Sequence, residues 1–344
     1  MLLIAAPGQG AQAPGFLQEW LELPGIAQRL GSWSELAGCD LIRCGTTADA
    51  EEIRDTAIAQ PLLVATAIAV AAELLGGPGS PDRLAGAAAD SGVDAAAGHS
   101  VGELAAGAIA GVIPPQDAIR LVRVRADAIR LTRVRGESMA AACDAEPTGM
   151  TAVLGGDEEA VLASIEAHGL TPANVNGAGQ IVAAGTMEQL AAFAADPPPK
   201  ARLRPLSVAG AFHTRHMAPA VDALREAAAG LTASSPVLTL LSDRDGAVVR
   251  SGGDWLERIV TQVGAPVRWD MCMHTMASLG VSALMELPPA GTLTGLAKRA
   301  LPGVRTLALK RPADLDQARA WLVEDGDPVS AGQPLVRLQP NGTD

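Results

Sequence analysis

The chain contains no tyrosine, three phenylalanines and five tryptophans in 344 residues. A core of any size must therefore be built from alanine, leucine and valine. Cysteine is also scarce: Cys39, Cys44, Cys143 and Cys272 have no metal-ligand spacing and are too few for a disulfide framework, which predicts reduced thiols in a cytoplasmic protein. Basic residues number 26 against 38 acidic ones, and the net charge of −12 argues against a nucleic-acid binder. No run of about 20 apolar residues is read as a membrane span, and Leu2–Ala6 is too short, with no basic start, for a signal peptide. What remains is 48% apolar with a mean hydropathy of +0.21, enough for one large domain carrying a smaller insert.

Against that background one stretch organises the rest, Gly98-His99-Ser100-Val101-Gly102-Glu103. It reads G-x-S-x-G between an apolar lead-in, Ala95-Ala96-Ala97, and a small-residue helix from Leu104 to Ile109. Such a serine sits on a sharp strand-to-helix turn, where the glycines let the backbone bend and expose Oγ at the top of a parallel sheet. The backbone N–H of Val101 then points where an oxyanion would form. Leu2–Ala6 predicts a buried strand feeding the Gly-rich loop Pro7-Gly8-Gln9-Gly10-Ala11-Gln12, at the sheet edge where α/β sites form. Gln9 can bring a donor near Ser100 from there. Gln60-Pro61 opens an apolar helix to about Leu75, and residues 76–94 read as loop.

Pro114-Pro115-Gln116-Asp117 starts a further helix. Ten residues from Asp117 recur almost unchanged from Asp127, placing Arg120, Arg123, Arg125, Arg130, Arg133 and Arg135 within sixteen residues. Most belong on a solvated face, but one buried guanidinium could clamp a carboxylate through two parallel hydrogen bonds. Ten residues advance the helix phase by about 1,000°, so the two copies face about 80° apart and only one of Arg125 and Arg135 can enter a given pocket.

From Met150 to Val208 the pattern is β-α-β-β-α-β, the order of a ferredoxin-like unit, with a hairpin turn at Asn176-Gly177. The expected division is a core of residues 1–138 and 207–320, a subdomain of 139–206 and a tail of 321–344. The tail resembles half of a biotinyl/lipoyl hammerhead without its lysine motif, and so carries no prosthetic group. Among the five histidines, His99 is expected to turn away from Ser100, His168 and His274 lie on helices, and His213 and His216 follow a Gly-rich return to the core. His213 comes directly after Ala211-Phe212, which would wall a small pocket, and is the natural base for the serine.

Together, Pro7–Gln12, Gln60-Pro61, Gly98–Glu103, Asn176–Gln180, Ala211–His213, Gln262–Trp269 and Gly291–Leu296 resemble, in order, the malonyl-CoA:acyl-carrier-protein transacylases, the acyltransferase family of fatty-acid and polyketide synthesis. The resemblance covers about residues 1 to 320. It implies an α/β-hydrolase-like large domain with a parallel sheet and an inserted ferredoxin-like small subdomain, and an enzyme that moves a malonyl group from malonyl-CoA through an acyl-serine to the phosphopantetheine thiol of an acyl carrier protein. It further implies Ser100 as nucleophile, His213 as base, the N–H groups of Gln9 and Val101 as oxyanion hole, and a main-chain carbonyl at Gln262 orienting the imidazole, with no acidic third member. Gln60 and Asn176 are supporting residues, Phe212 sets acyl specificity, and Arg125 or Arg135 holds the malonyl carboxylate. The spacing from the serine selects Arg125; the context before Met150 selects Arg135. No cofactor, metal, membrane or nucleic acid is implied, and a cytoplasmic monomer is expected. The surplus arginines with Lys298 and Arg299 would form a basic rim for an acidic carrier protein. Two departures, Asp243 where asparagine is usual and Ala290 where glycine is usual, are expected to leave the chemistry untouched. A serine hydrolase sharing the same turn, and a non-catalytic carrier-binding domain with its arginine displaced, are the alternative readings.

Overall fold

Strand β1 (Leu2–Ala6) is buried along its whole length, as a parallel strand covered on both faces must be. The structure, a computed structural model, describes residues 1–76, 84–141, 147–206, 208 and 210–326; the side chains of 131–141 and 324–326 lie outside that description. After β1 come α1 (Pro24–Ala37), with proline in its first turn and left-handed Gly38 closing it, and α2 (Leu41–Thr46), capped by the Asp40 side chain. Helix α3 (Thr56–Gly76) is long and apolar enough by composition to cross a membrane, yet 89% of its most apolar window is buried inside the protein. It is the central helix of the main core, and it begins before Gln60 so that Pro61 lies inside it. The short α4 (Leu84–Ala89) falls in what reads as loop, pinned by buried Leu84 and Ala88.

Strand β2 (Ala95–Gly98) is nearly all alanine, which lets α5 (Gly102–Ile109) pack close to it. A Cβ on Gly107 would meet the Trp255 indole at 2.4 Å, so one of the few large aromatics fills space left by the smallest residue. Helix α6 (Pro115–Ala141) runs through both copies of the repeat in one piece. The duplication lengthens the helix, and the expected boundary at 138/139 falls within it.

The second sheet follows: β3 (Thr148–Gly155), α7 (Glu158–Ala167), β4 (Thr171–Gly177), β5 (Gln180–Thr186), α8 (Met187–Ala195) and β6 (Ala201–Pro205). Its antiparallel order β6-β3-β5-β4 is that of the ferredoxin-like unit, and its own core packs around Phe193 and Ile165. The chain then forms α9 (Ala218–Ala228), β7 (Thr239–Leu241), α10 (Gly252–Gln262), β8 (Val267–Arg268), α11 (Trp269–Leu279), β9 (Ala283–Glu286), α12 (Thr292–Ala300), β10 (Arg305–Ala308) and α13 (Asp314–Gly326). Strand β8 pairs in parallel with β4, so the later part of the chain contributes a fifth strand to the second sheet.

The first sheet is parallel throughout, in the order β10-β9-β1-β2-β7. Chain order reverses beside β1, and the loops leaving β1, β2 and β7 meet at the carboxyl edge, where such sheets form their crevices. Residues 321–326 end α13 rather than opening a strand, and the remainder of the hammerhead-like tail lies outside the described residues.

The Arg29 guanidinium and the Glu73 carboxylate join α1 to α3 at 3.2 Å, with both side chains under 10% exposed. Removing one partner of a buried pair leaves the other charge uncompensated. Glu73→Ala should lower the unfolding free energy by about 3–5 kcal/mol in urea denaturation; a change below about 1 kcal/mol would show the pair to be dispensable.

Candidate active site

Ser100 has φ 54°, the left-handed region that non-glycine residues rarely enter. The turn that holds it packs backbone against backbone. A Cβ on Gly98 would lie 2.1 Å from the Gly102 carbonyl carbon, and one on Gly102 would lie 2.3 Å from the Ala6 oxygen. Both glycines are therefore fixed by space, and the sharp bend they permit presents Oγ above β2.

His213 also has a positive φ, 60°, is 5% exposed, and is held by its own N–H on the Val263 carbonyl. Its Nε2 lies 2.8 Å from Ser100 Oγ, and its Nδ1 lies 3.0 Å from the Gln262 main-chain carbonyl. A carbonyl only accepts, so Nδ1 carries the proton and Nε2 accepts from the serine hydroxyl. Burial, reinforced by the nearby Arg125 cation, lowers the His213 pKa from 6.5 to about 3, so the imidazole is neutral at ordinary pH.

Of the two candidate arginines, the structure brings Arg125 to the serine. It is 4% exposed, donating to Gln60 Oε1 at 2.7 Å, to Gln262 Oε1 at 3.2 Å and to Ser100 Oγ at 3.4 Å. Among the described residues its direct partners are all neutral. Burial lowers its pKa to about 10, which still leaves a cation. Arg135 belongs to the same helix, with its side chain outside the described residues. In the described part of α6, exposed Arg120 pairs with Asp117 and half-buried Arg123 with Asp127.

A cavity of about 480 Å³ opens above these groups, and Gln9, Gln60, Asn176 and Phe212 line it with Ser100, His213 and Arg125. The Gln9 side chain accepts from Gln60 Nε2 at 3.2 Å and donates to the Arg54 carbonyl, fixing the loop after β1. The backbone N–H groups of Gln9 and Val101 have no partner among the described residues. Exposed Arg54 stands at the pocket wall, unforeseen from the sequence.

His99 has a contact the sequence did not announce, and the expectation for Asp243 needs correction. His99, although turned from Ser100, is not idle: its Nε2 meets Asn176 Oδ1 at 2.8 Å and its ring packs on Trp269, tying the serine turn to the second sheet. Asp243 is not remote from the chemistry. It is fully buried in the loop after β7, where Oδ2 accepts the Ser100 N–H at 2.5 Å and both oxygens accept from Gln262 Nε2 at 3.2 Å. Its own N–H donates to Glu103 Oε1 at 2.9 Å. The available signal was its place at the end of a parallel strand, the same edge that supplies Gln9 and Ser100.

A serine on a strand-to-helix turn, a histidine oriented by a carbonyl and a buried guanidinium between two sheets define the site of an α/β acyltransferase. The model of the family described as acyl transferase domain matches residues 7–308. The malonyl CoA-acyl carrier protein transacylase of Mycobacterium tuberculosis (strain ATCC 25618 / H37Rv) is 51% identical over 317 residues, covering 92% of this chain and 99% of that protein. Its namesake in Bacillus subtilis (strain 168) is 31% identical over 329 residues, 93% and 97% of the two chains. Of solved structures, MCAT from Mycobacterium tuberculosis superposes with a TM-score of 0.83 at 49% identity, over 93% of this chain and 99% of that one. A malonyl-transacylase in complex with a type II PKS acyl-carrier protein gives 0.79 at 27% identity, over 93% and 99%. The chain belongs to the acyl transferase domain family, among the malonyl CoA-acyl carrier protein transacylases.

The lowered His213 pKa carries a definite sign. The rate of Ser100 acylation by p-nitrophenyl acetate should stay level as pH falls through 6.5 and decline only toward about 3, and Arg125→Ala should move that decline upward by removing a repelling cation. A decline centred near 6.5 in the unaltered enzyme would contradict the burial argument. Because the unfolded chain binds this proton near 6.5 and the folded one near 3, the His213 contribution to stability is complete above 6.5 and is lost as pH falls through that window.

Proposed function

We propose that Ser100 accepts the malonyl group, with His213 as general base and Arg125 as the partner of the malonyl carboxylate. The observation that carries this reading is a buried guanidinium, 3.4 Å from Ser100 Oγ, whose direct partners among the described residues are neutral amides and the hydroxyl itself. Such a cation is poised for an incoming carboxylate.

The enzyme transfers malonyl from malonyl-CoA to acyl carrier protein in fatty-acid or polyketide synthesis. As Ser100 Oγ attacks the thioester carbon, His213 Nε2 takes the hydroxyl proton. The oxyanion meets the N–H groups of Gln9 and Val101, both still free to donate; the Ser100 N–H is engaged by Asp243 and stands aside. The C–S bond then breaks and the imidazolium returns its proton to the coenzyme A thiolate. In the second half the phosphopantetheine thiol gives its proton to His213, attacks the ester, and leaves as malonyl thioester while Ser100 regains its proton. Holding the carboxylate on Arg125 fixes the acyl group against water, and Phe212 at the pocket wall favours an unbranched chain. Gln60 and Gln262 orient Arg125, and Asn176 supports the wall through His99.

The acyl group rides on the serine and then on the carrier's own arm, so no further cofactor enters the scheme. The same reading takes residues 139–206 as a subdomain over the core and the enzyme as a cytoplasmic monomer, the free thiols of Cys39, Cys44 and Cys272 supporting that compartment. Of the expected basic rim, Arg130, Lys298 and Arg299 are exposed with no ion pair among the described residues.

Intact-mass measurement after competition between malonyl-CoA and acetyl-CoA should give a malonyl adduct on Ser100. Arg125→Ala should cut the preference for malonyl by about 10²–10³-fold, the equivalent of about 3–5 kcal/mol for an orphaned charge. Equal acetyl and malonyl labelling of the unaltered protein would defeat the role of Arg125, and ester formation without carrier transfer would favour a hydrolase. If the basic rim steers an acidic carrier, the rate of transfer to it should fall severalfold from low to high salt while malonyl-serine formation changes little; a salt-independent transfer rate would remove the rim from the account.

A further inference from the structure

We infer that Glu103 and Asp243 act as one carboxyl pair holding a single proton behind the nucleophile, positioning Ser100 and Gln262 and leaving Arg125 free to accept the acyl carboxylate. The inference rests on the malonyl-transfer reading and concerns residues outside the nucleophile, base and arginine already assigned.

Asp243 and Glu103 are 0% and 3% exposed, on the loop after β7 and in the first turn of α5. Asp243 Oδ2 takes the backbone N–H of a serine in the left-handed region, the bond that holds the strained turn in register. The same carboxyl takes Gln262 Nε2, and Gln262 in turn gives its main-chain carbonyl to His213 and its side-chain carbonyl to Arg125. One carboxyl thus sets the spacing between nucleophile, base and arginine without touching the acyl group; it is a positioning residue.

The Asp243 N–H donates to Glu103 Oε1 at 2.9 Å, which brings the two buried carboxyls together, and Glu103 Oε2 is buried with no partner among the described residues. Two carboxylates in contact, sealed from water, repel; a proton between them relieves both the repulsion and the unpartnered oxygen. The charged or titratable groups facing the pair from surrounding elements are Arg125 of α6, His213 and His99, both kept neutral by burial, and Cys272 of α11, whose thiol burial keeps protonated. Arg125 is the one cation in that set. With one proton on the pair, one negative charge balances it; with none, two negative charges surround it and a substrate carboxylate is disfavoured. Burial and the neighbouring Glu103 push the Asp243 pKa well above the usual carboxylate range, the direction in which a pair keeps one proton to higher pH than a free carboxyl would.

The test uses the full-length enzyme and two reagents. As pH rises above neutral, the KM for malonyl-CoA should rise about tenfold, the weight of one added charge across a partly screened separation, while acylation of Ser100 by p-nitrophenyl acetate, which has no carboxylate, should not decline in step. Asp243→Asn keeps an oxygen for the Ser100 N–H, offers an N–H₂ to Glu103 and has no proton to lose, so its own alkaline rise in KM should vanish. Asp243→Ala should lower acylation by both reagents about 10²-fold through misplacement of the serine. Infrared spectra at neutral pH should contain the carbonyl stretch of a buried protonated carboxyl, absent from Asp243→Asn and from Glu103→Gln. An alkaline rise that persists in Asp243→Asn, or an unaltered enzyme without that band, overturns the inference. Absence of malonyl-serine at every pH would defeat the transfer reading itself, and the infrared band would then decide on the shared proton alone.

Discussion

A guanidinium buried to 4% exposure among neutral partners is the constraint on which the site depends. A cation in that position is held by directed oxygens rather than by a carboxylate in contact, and each such oxygen brings a further duty with it. Gln60 joins Arg125 to the loop after β1 through Gln9. Gln262 joins it to the base through its own main chain and to Asp243 through its amide. The arginine, the serine and the histidine are thereby parts of one hydrogen-bonded object spanning α3, α6, α10 and three loops of the first sheet.

The fold supplies that object with rigid supports. The small residues of β2 and α5 bring the serine turn down onto β1, and the second sheet meets the turn from above through Asn176 and His99. Strain at Ser100 and His213, both at positive φ, is offset by bonds to their backbone N–H groups from Asp243 and Val263. On the inference drawn above, the pair of buried carboxyls gives the strained N–H a strong acceptor while placing only one unit of charge beside the cation.

Much of this was legible in the sequence, because it rests on local rules. The serine turn follows from glycines at fixed spacing, the ferredoxin-like unit from the order of its periodicities, and the His213 side chain from its Gly-rich loop after the serine. Arg125 and Arg135 could not be separated, since a repeat of ten residues fixes their relative phase but not which face is buried; the packing of α6 against α3 decides it. Asp243 and Glu103 escaped because their roles are long-range: 140 residues separate them, and neither a motif nor a helix face announces a contact between a strand end and a helix start. The apolar α3 shows the converse, a segment whose composition alone would suit a membrane and whose burial in the core is a tertiary fact.

The central claim is that Arg125 waits for a carboxylate attached to Ser100. The most direct measurement is a crystal structure of the malonyl-serine enzyme, trapped after reaction with malonyl-CoA in the absence of carrier protein. The account predicts the free carboxylate within hydrogen-bond distance of the Arg125 guanidinium, with the ester oxygen between the Gln9 and Val101 N–H groups. A malonyl chain directed to solvent, with Arg125 still bound only to Gln60 and Gln262, would contradict it.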